Sequence, residues 1–458
     1  MKFQTINPAT EEVIAEYDLM PKEKVLDEAK KSHAAFRQWR DFDVSERAPY
    51  FRNLAQILRE NKEIYAKLMT LEMGKPIKQA LSEVEKCAWT AEVYADNAAK
   101  WLEEENVHAD GKKHIVAFEP LGLIISIMPW NFPFWQAFRF GIPTLIAGNV
   151  SILKHSNQVP QCALAIEEAF NKAGFPENVF KTIITEHESV AELVKSDLIQ
   201  GVSLTGSTNA GSRIAELAGR NLKKVVLELG GSDPFIVLDD ADIEFAAKNA
   251  VSGRTLNSGQ SCIAAKRFIV MKNVADEFSR IFAEEASKLI VGDPMDMKTD
   301  VGPLVNKDGL NQIENQVQDA VSKGAKILTG AERLERKGYF YKPTVLGGIK
   351  SDMKVVTEEV FGPVAPIIIV NSEEEAVKIA NNTEFGLGAS VWTKNEKLSM
   401  QIAHKLEAGS IFINSIVKSD ARMPFGGVKK SGIGRELSKY GLKEFVNVKG
   451  INVYEVKK

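Results

Sequence analysis

Apolar residues recur at helical spacing through residues 22–105. Val25, Ala29 and Phe36 share one face of a helix, and Leu54 and Leu58 share another. Charged residues fill the intervening positions, as expected for helices with one buried face. The pattern predicts a mostly helical region before residue 106.

From residue 121, short apolar strands alternate with amphipathic helices. The predicted strands cover 121–128, 150–154, 179–184, 201–205 and 224–229, and the predicted helices cover 134–147, 160–173, 189–195 and 209–219. Such alternation implies right-handed crossovers and a mostly parallel sheet with both faces covered. A second alternation runs from P-F-I-V-L-D-D at 234–240 to S-I-F-I-N at 410–414, and it predicts a second α/β domain.

Two further segments alternate apolar and polar residues. The first lies near residues 106–120, and the second is the tail F-V-N-V-K-G-I-N-V-Y-E-V at 445–456. Alternation of this kind is typical of a strand with one exposed face. We expect an edge ribbon here that serves as an association surface.

The composition is that of an ordinary soluble protein, with 44% hydrophobic and 26% charged residues. A net charge of −3 gives no basis for nucleic-acid or membrane partners. The first residues lack the apolar core of a signal peptide, and three cysteines form no disulfide framework, so we expect a cytoplasmic protein. Neither H-E-x-x-H nor C-x-x-C occurs, so no metal site is expected.

The stretch T-L-N-S-G-Q-S-C-I-A-A at 255–265 places Cys262 among small residues, between a helix-like and a strand-like segment. Small neighbours leave a thiol accessible, and Gly259 permits unusual backbone geometry. A nucleophile and a buried core thiol both remain open from this stretch alone. Cys87 and Cys162 lie within amphipathic helices, and we expect both to be core thiols.

Two motifs follow predicted strands. In V-S-L-T-G-S-T-N-A-G at 202–211, Gly206 turns the chain into a helix whose first N–H groups can attract phosphate. In L-E-L-G-G-S-D-P at 227–234, Glu228 ends a strand on the ligand-binding edge of the sheet. Glu228 could act as a general base, or it could bind a ribose, since it lies 22 residues after Gly206.

The stretch I-M-P-W-N-F-P-F-W-Q-A-F-R-F-G at 127–141 adds an amide and a cation. Asn131 precedes a helix and could donate to an oxyanion. Trp135 and Arg139 are four residues apart and therefore share a helix face. Arg139 is the only charge between residues 119 and 154, so it needs an anion, either a protein carboxylate or a substrate. In I-L-K-H-S-N at 152–157, Lys154 ends another strand.

Taken together, these motifs resemble the NAD(P)-dependent aldehyde dehydrogenase superfamily. P-W-N-F-P, L-T-G-S, E-L-G-G, G-Q-S-C and E-E-V-F-G-P-V occur in that superfamily's order, between N-P-A-T near the start and P-F-G-G-V-K-K-S-G-I-G-R-E near the end. L-K-H-S-N-Q-V-P-Q-C-A-L and V-K-S-D-A-R-M-P-F-G-G-V-K-K-S-G are similar to succinate-semialdehyde dehydrogenases of the bacterial and archaeal type.

The resemblance implies roles for individual residues. The implied catalytic residues are the nucleophile Cys262, the oxyanion donor Asn131 (with the Cys262 backbone N–H) and the general base Glu228. The implied cofactor-binding residues are Trp130, Lys154, Asn157, Gly206, Ser207, Glu359 and Phe361. The implied substrate-binding residues are Trp135, Arg139 and Ser419. The general-base role replaces the ribose-binding alternative for Glu228.

The resemblance also implies a fold of two open, mostly parallel α/β domains and a small β oligomerisation arm. A Rossmann-like NAD(P)-binding domain would span 1–105 and 120–229, a catalytic domain 230–435, and the arm 106–119 and 436–458. A homodimer or homotetramer is expected. The implied reaction is oxidation of succinate semialdehyde with NAD or NADP through a cysteine thioester. Alternatives are another aldehyde (lactaldehyde, a phosphorylated aldehyde or a general aliphatic aldehyde), a CoA-acylating enzyme, and an idle binding protein on the same scaffold.

Three positions depart from relatives within the superfamily. Asn157 replaces an acid that grips the ribose hydroxyls in many strictly NAD-dependent members, so use of both cofactors is expected. Leu256 stands where some succinate-semialdehyde enzymes carry a second arginine, which leaves Arg139 in that role. Ala264 stands where certain relatives have a second cysteine, so no intramolecular redox switch is expected.

Overall fold

A computed structural model describes residues 2–456 of the chain as strands and helices in the following order. The strands are β1 Lys2–Ile6, β2 Val13–Asp18, β3 Glu105–Val107, β4 Lys113–Pro120, β5 Leu123–Met128, β6 Val150–His155, β7 Phe180–Ile183, β8 Ile199–Thr205, β9 Lys224–Glu228, β10 Asp233–Val237, β11 Ala265–Met271, β12 Lys326–Thr329, β13 Thr344–Gly347, β14 Val364–Val370, β15 Gly388–Trp392, β16 Ser410–Ile413, β17 Gly432–Ile433 and β18 Val446–Val453. The helices are α1 Lys22–Trp39, α2 Val44–Glu60, α3 Lys62–Met73, α4 Ile77–Trp101, α5 Pro133–Ile146, α6 Pro160–Lys172, α7 His187–Lys195, α8 Thr208–Arg220, α9 Ile243–Thr255, α10 Lys272–Ser287, α11 Lys307–Ser322, α12 Lys354–Thr357, α13 Glu373–Asn381, α14 Glu396–Lys405 and α15 Ser438–Leu442.

The predicted helices and strands are confirmed over most of the chain. Helices α1 to α4 fill the region that was expected to be helical, and the strands and helices predicted between residues 121 and 229 end within two residues of the observed bounds. The antiparallel pair β1 and β2 was not predicted. Its residues are mostly exposed and lack strict alternation, so the sequence carries little strand signal there.

Six strands form the first sheet, in the order β17-β9-β8-β5-β6-β7. All neighbours are parallel except the short β17 beside β9. The chain runs from β5 outward to β7 and then returns to β8 on the other side of β5, which makes the gap between β5 and β8 a topological switch point. Ligands of open α/β sheets bind outside the carboxyl ends of the strands at such a point.

Seven strands form the second sheet, in the order β12-β13-β14-β11-β10-β15-β16. Only β12 is antiparallel to its neighbour. All five residues of β10 are buried, with Phe235 and Val237 packed in one apolar cluster and Ile236 in another. Apolar clusters on both faces explain why the strand reads as a continuous apolar run. The α/β fold prediction is therefore confirmed.

A third sheet contains the two segments predicted as an edge ribbon. β18 is antiparallel to β4 along their full length, from Val446 opposite Pro120 to Val453 opposite Lys113, and β3 covers the other edge of β4. The domain boundaries given above stay a prediction, and β17, which falls in the predicted catalytic range, adds to the first sheet. Across residues 2–456, no helix is long and apolar enough to cross a membrane.

Candidate active site

The backbone before Cys262 is held in an unusual conformation. Asn257 and Ser258 adopt left-handed φ values of 53° and 56°, and Gly259 follows with φ 77°. A Cβ atom on Gly259 would lie 2.4 Å from the carbonyl of Gly362, so only glycine allows this close approach. The loop that carries the thiol therefore packs directly on the loop before β14, which contains E-E-V-F-G-P-V.

Two buried cations hold the same loop through its carbonyl groups. Arg254, at the end of α9, donates to the carbonyl oxygens of Gly259 at 2.7 Å and Ala265 at 3.0 Å. Lys266, in β11, donates to the carbonyl oxygens of Ser261 at 3.0 Å and Cys262 at 2.6 Å. Such charge-assisted hydrogen bonds are stronger than neutral ones, so the thiol is carried on a rigid loop.

The three cysteines differ in exposure. Cys87 and Cys162 are completely buried, which confirms their prediction as core thiols, whereas Cys262 is partly exposed. Burial raises the pKa of the Cys262 thiol to about 11, while the positive charges of Arg139 and Lys266 lower it. The accessible thiol is thus mostly protonated at neutral pH before ligands bind, and it lies near two cations that favour the thiolate.

Asn131 is held beside the same loop. Its Oδ1 accepts a hydrogen bond from Gln136 Nε2 at 2.9 Å, and its Nδ2 donates to the carbonyl oxygen of Gln260 at 3.1 Å. Asn257 Nδ2 donates to the Asn131 carbonyl at 2.7 Å. These contacts fix the amide orientation, and they use one of the two hydrogens on Nδ2.

The helix that follows Asn131 begins on a buried carboxylate. Pro133 is the first residue of α5, and Glu83 Oε1 accepts the N–H groups of Phe134 at 3.0 Å and Trp135 at 2.9 Å. A carboxylate at a helix N-terminus satisfies free N–H groups and complements the helix dipole. Lys75 forms a buried ion pair with the same Glu83. This pair anchors the start of α5 and, through it, Asn131.

Glu228 ends β9, next to Thr205 at the end of β8. Its side chain is buried, and neither carboxyl oxygen has a hydrogen-bond partner among the described residues. Gly426 leaves space for this carboxyl, since a Cβ atom at position 426 would lie 2.6 Å from Glu228 Oε1. Burial, reinforced by the nearby Glu436, raises the pKa of Glu228 well above its usual value. Burial thus disfavours the ionised form of this carboxyl.

Arg139 is paired with a protein carboxylate, which is one of the two anions that the sequence left open. Its guanidinium is ion-paired with Glu436, and both side chains are buried. Arg139 Nη2 also donates to Thr205 Oγ1 at 3.2 Å. Glu436 compensates part of this charge, and Arg139 also lines a cavity beside Cys262, so its role as a substrate ligand stays a prediction.

We expect Arg139→Ala to lower the free energy of unfolding by about 3–5 kcal/mol, because removing one partner of a buried ion pair leaves the other uncompensated. Urea denaturation followed by circular dichroism measures the change. The double variant Arg139→Met with Glu436→Gln should recover part of this loss. If the midpoint of the urea unfolding transition is the same in Arg139→Ala and in wild-type protein, the result contradicts a structural role for the pair.

Cys262 lies where two cavities meet. The smaller one, of about 250 Å³, is mainly apolar and also has polar side chains in its lining. Trp135, Arg139 and Ser419, the three residues expected to bind substrate, all line it, and so does Leu256. A larger cavity of about 320 Å³ lies on the other side of the thiol. Its lining includes Trp130, Asn131, Gly206, Ser207, Glu359 and Phe361.

The larger cavity occupies the switch point between β5 and β8. Trp130 follows β5, and Gly206 and Ser207 follow β8 at the start of α8. Trp130 and Phe361 face each other with perpendicular rings and centroids 5.7 Å apart. Glu359 forms an ion pair with Lys266 at 3.2 Å.

The remaining two cofactor candidates lie at the carboxyl end of β6, outside that lining. Lys154 Nζ donates to Asn157 Oδ1 at 3.5 Å, so the structure brings this pair together. Lys154 is buried, which lowers the pKa of its ammonium, while Glu186 counteracts this. A buried lysine with only an amide contact at the edge of a ligand-binding sheet fits an external polar ligand.

Sequence analysis missed Lys86, Arg254, Lys266 and Glu436. Glu436 is the last residue of P-F-G-G-V-K-K-S-G-I-G-R-E, a stretch that reads as surface turns. Lys86 lies inside α4, where a lysine usually indicates a solvated face. The only sequence signal that pointed toward one of these residues was the isolated charge of Arg139. It needed an anion, and the structure shows that Glu436 is one.

Two open α/β sheets place a thiol between a switch-point cavity and a small apolar cavity, an arrangement that fits an α/β enzyme with a cysteine nucleophile. Residues 1–451 match the sequence profile described as the aldehyde dehydrogenase family. The chain belongs to the aldehyde dehydrogenase family.

Individual relatives are similar over nearly their whole length. A probable succinate-semialdehyde dehydrogenase [NADP(+)] of Synechocystis sp. is 46% identical, covering 98% of this chain and 99% of the relative. The crystal structure of succinic semialdehyde dehydrogenase from Streptococcus pyogenes in complex with NADP+ has a TM-score of 0.96 at 37% identity, covering 99% of this chain and all of that one. An NAD-dependent aldehyde dehydrogenase from Sinorhizobium meliloti has a TM-score of 0.96 at 32% identity, covering 99% and 91%.

Proposed function

We propose that the protein oxidises succinate semialdehyde to succinate with NADP or NAD. The observation that carries this proposal is the position of Cys262, which lines both the small cavity and the switch-point cavity. An aldehyde in the first cavity and a dinucleotide in the second would meet at the thiol. The names of the relatives in Synechocystis and Streptococcus support this substrate.

In the first step the Cys262 thiol loses its proton to water, and the sulfur attacks the aldehyde carbon. An S–C bond forms, and the electron pair of the carbonyl bond moves to its oxygen. The free hydrogen on Asn131 Nδ2 and the backbone N–H of Cys262 donate to that oxygen. Arg139 and Lys266 favour the thiolate that attacks, because both lower the pKa of the thiol.

The switch-point cavity fits a nicotinamide dinucleotide. Trp130, Glu359 and Phe361 would hold its nicotinamide half, and Gly206 and Ser207 at the start of α8 would face its phosphates. When bound, the cofactor supplies the hydride acceptor for the oxidation. The rigid loop around Cys262 keeps the sulfur at the boundary of the two cavities while the thioester forms.

The second step is hydrolysis of the thioester. Glu228 would accept a proton from water as the water oxygen bonds to the acyl carbon and the Cys262 sulfur leaves. Burial raises the pKa of Glu228, which makes its carboxylate a stronger base, and neither carboxyl oxygen has a hydrogen-bond partner among the described residues. Glu228 also favours water over CoA as the acyl acceptor.

The small cavity fits a short aldehyde with a polar distal group. Trp135 and Leu256 offer apolar contact, and Ser419 and Arg139 offer hydrogen-bond donors. Because the guanidinium is ion-paired with Glu436, Arg139 contributes hydrogen-bond donors and only part of its charge. Lactaldehyde and phosphorylated aldehydes are the alternative substrates. Both differ from succinate semialdehyde in the distal group, since lactaldehyde lacks an anion there and a phosphate is larger than a carboxylate.

Initial rates over an aldehyde panel, measured with NAD and NADP in parallel, test the proposal. Succinate semialdehyde should give the highest kcat/KM, above butyraldehyde, lactaldehyde and a phosphorylated aldehyde. A higher kcat/KM for any of these would transfer the proposal to that aldehyde. Absence of turnover with the whole panel would favour the idle binding protein.

Asn157→Glu should reduce kcat/KM for NADP by at least about tenfold, near 1.4 kcal/mol, and spare NAD. A glutamate here accepts hydrogen bonds from ribose hydroxyls and repels a 2′-phosphate, and it also engages the charge of Lys154. Asn157→Gln is the matched control, since it lengthens the side chain without adding charge. Equal losses with both cofactors in the glutamate variant would contradict a role for position 157 in cofactor choice.

We propose that the protein works in the cytoplasm as a homodimer or homotetramer, joined through the third sheet. Val448, Ile451 and Val453 of β18 are exposed apolar residues. Apolar side chains on an exposed strand favour association with another copy. Light scattering after size-exclusion chromatography gives the assembly size.

A further inference from the structure

Lys86 of α4 reaches the small cavity beside Ser419. Its Nζ donates to Ser419 Oγ at 2.6 Å and lies 4.1 Å from the centre of the Trp135 ring. Lys86, Ser419 and Trp135 all line the cavity. The ammonium is therefore part of the cavity wall, on the side formed by Ser419.

The carboxylates near Lys86 are engaged elsewhere. Glu83, one turn earlier in α4, is ion-paired with Lys75 and caps α5. Asp420 accepts two hydrogen bonds from the guanidinium of Arg422, at 2.9 and 2.7 Å. Within the part of the chain that the structure describes, no carboxylate forms an ion pair with Lys86.

The charges of the other two cations in the cavity lining are compensated by an ion pair or screened by solvent. Arg139 is paired with Glu436, as described above. Lys418 also lines the cavity, but its side chain is exposed, so water and salt screen its charge. Lys86 is thus the cation in this wall that is partly buried and, among the described residues, has no carboxylate as an ion-pair partner.

We infer that Lys86 is a specificity-determining residue, which binds the distal carboxylate of the aldehyde together with Ser419. This inference rests on the proposed function. Because Ser419 Oγ accepts a hydrogen bond from Lys86, its own hydrogen is free to donate to the same carboxylate. The ammonium keeps further hydrogens for a charge-assisted bond to the ligand.

The charge of Lys86 depends on pH. Burial, reinforced by the positive charge of Arg139, lowers the pKa of Lys86 to about 8. The nearby Cys87, Glu83 and Asp420 counteract part of this shift. The ammonium is present below that pH and is lost above it. The ratio of kcat/KM for succinate semialdehyde to that for butyraldehyde should therefore fall as the pH rises through about 8. Titration of Cys262 affects both substrates and cancels in the ratio.

The test compares these two substrates in wild-type protein and in Lys86→Met, which keeps the length of the side chain and removes its charge. The ratio should fall by about 30-fold or more, because a desolvated charge pair is lost. It should also lose its pH dependence. Lys86→Arg keeps the charge and should retain most of the preference. If Lys86→Met does not fold, Lys86→Gln decides the question, since it removes the charge and keeps a donor for Ser419.

Lys418→Met removes an exposed charge from the same cavity and should cause a much smaller fall in the ratio. An unchanged ratio in Lys86→Met, equal losses on both substrates, or an equal fall in Lys418→Met would overturn the inference about Lys86. Wild-type protein without preference for succinate semialdehyde over butyraldehyde would instead overturn the proposed function.

Discussion

Cys262→Ala should lose aldehyde oxidation by a factor of about 10⁴ or more, because removal of the nucleophile eliminates the covalent route. The protein should remain folded, since Cys262 is partly exposed and its loop is held by Arg254 and Lys266 through backbone carbonyls. Steady-state NADPH formation measures the loss. Circular dichroism and NADPH fluorescence show that the fold and the cofactor site persist.

The chain offers matched controls for this variant. Cys87→Ala and Cys162→Ala each remove one fully buried thiol, so they should cost some stability and retain turnover. Substantial turnover in Cys262→Ala would exclude the covalent mechanism. Loss of activity in either control, without loss of folding, would point to a second thiol in the reaction.

Glu228→Gln should slow steady-state turnover by about 10²–10⁴-fold and leave the first hydride transfer much faster, because only hydrolysis needs a general base. Stopped-flow mixing with succinate semialdehyde and NADP should show a burst of NADPH that approaches one equivalent per site, followed by a slow phase. Glutamine preserves the size of a side chain whose ionised form is disfavoured by burial, so the fold should be unaffected.

Glu359→Gln provides the comparison on the cofactor side of the thiol. Glu359 lines the switch-point cavity and Glu228 does not, so this variant should raise the KM for NADP and show no burst. If Glu228→Gln instead weakens cofactor binding and keeps kcat, Glu228 is the ribose-binding acid that its spacing from Gly206 also allowed.

Local patterns were sufficient to predict most of the fold. Strands such as β5 and β8 are short apolar runs between helical segments, so their bounds follow from hydrophobic periodicity. The residues that follow those strands, Asn131 and Gly206, were predictable as site residues for the same reason. Parallel strands bring their carboxyl ends to one edge, and the structure places both residues in one cavity.

The electrostatics of the site could not be read from the sequence. Glu436 pairs with Arg139 across most of the chain, and Lys86 reaches Ser419 over a separation of 333 residues. Periodicity describes near neighbours and gives no information about such distant contacts. Burial raises the pKa of Glu228, and burial depends on Gly426 leaving space for its carboxyl. The residue type alone therefore identified a candidate base but gave no information about its shifted pKa.

The most direct test of covalent catalysis on succinate semialdehyde is mass spectrometry of a trapped acyl-enzyme. Glu228→Gln is mixed with succinate semialdehyde and NADP, quenched in acid during the burst and digested for peptide mapping. The account predicts a mass increase of one succinyl group on the peptide that contains Cys262, and none when NADP is omitted. A burst without an adduct, or an adduct on Cys87 or Cys162, would contradict it.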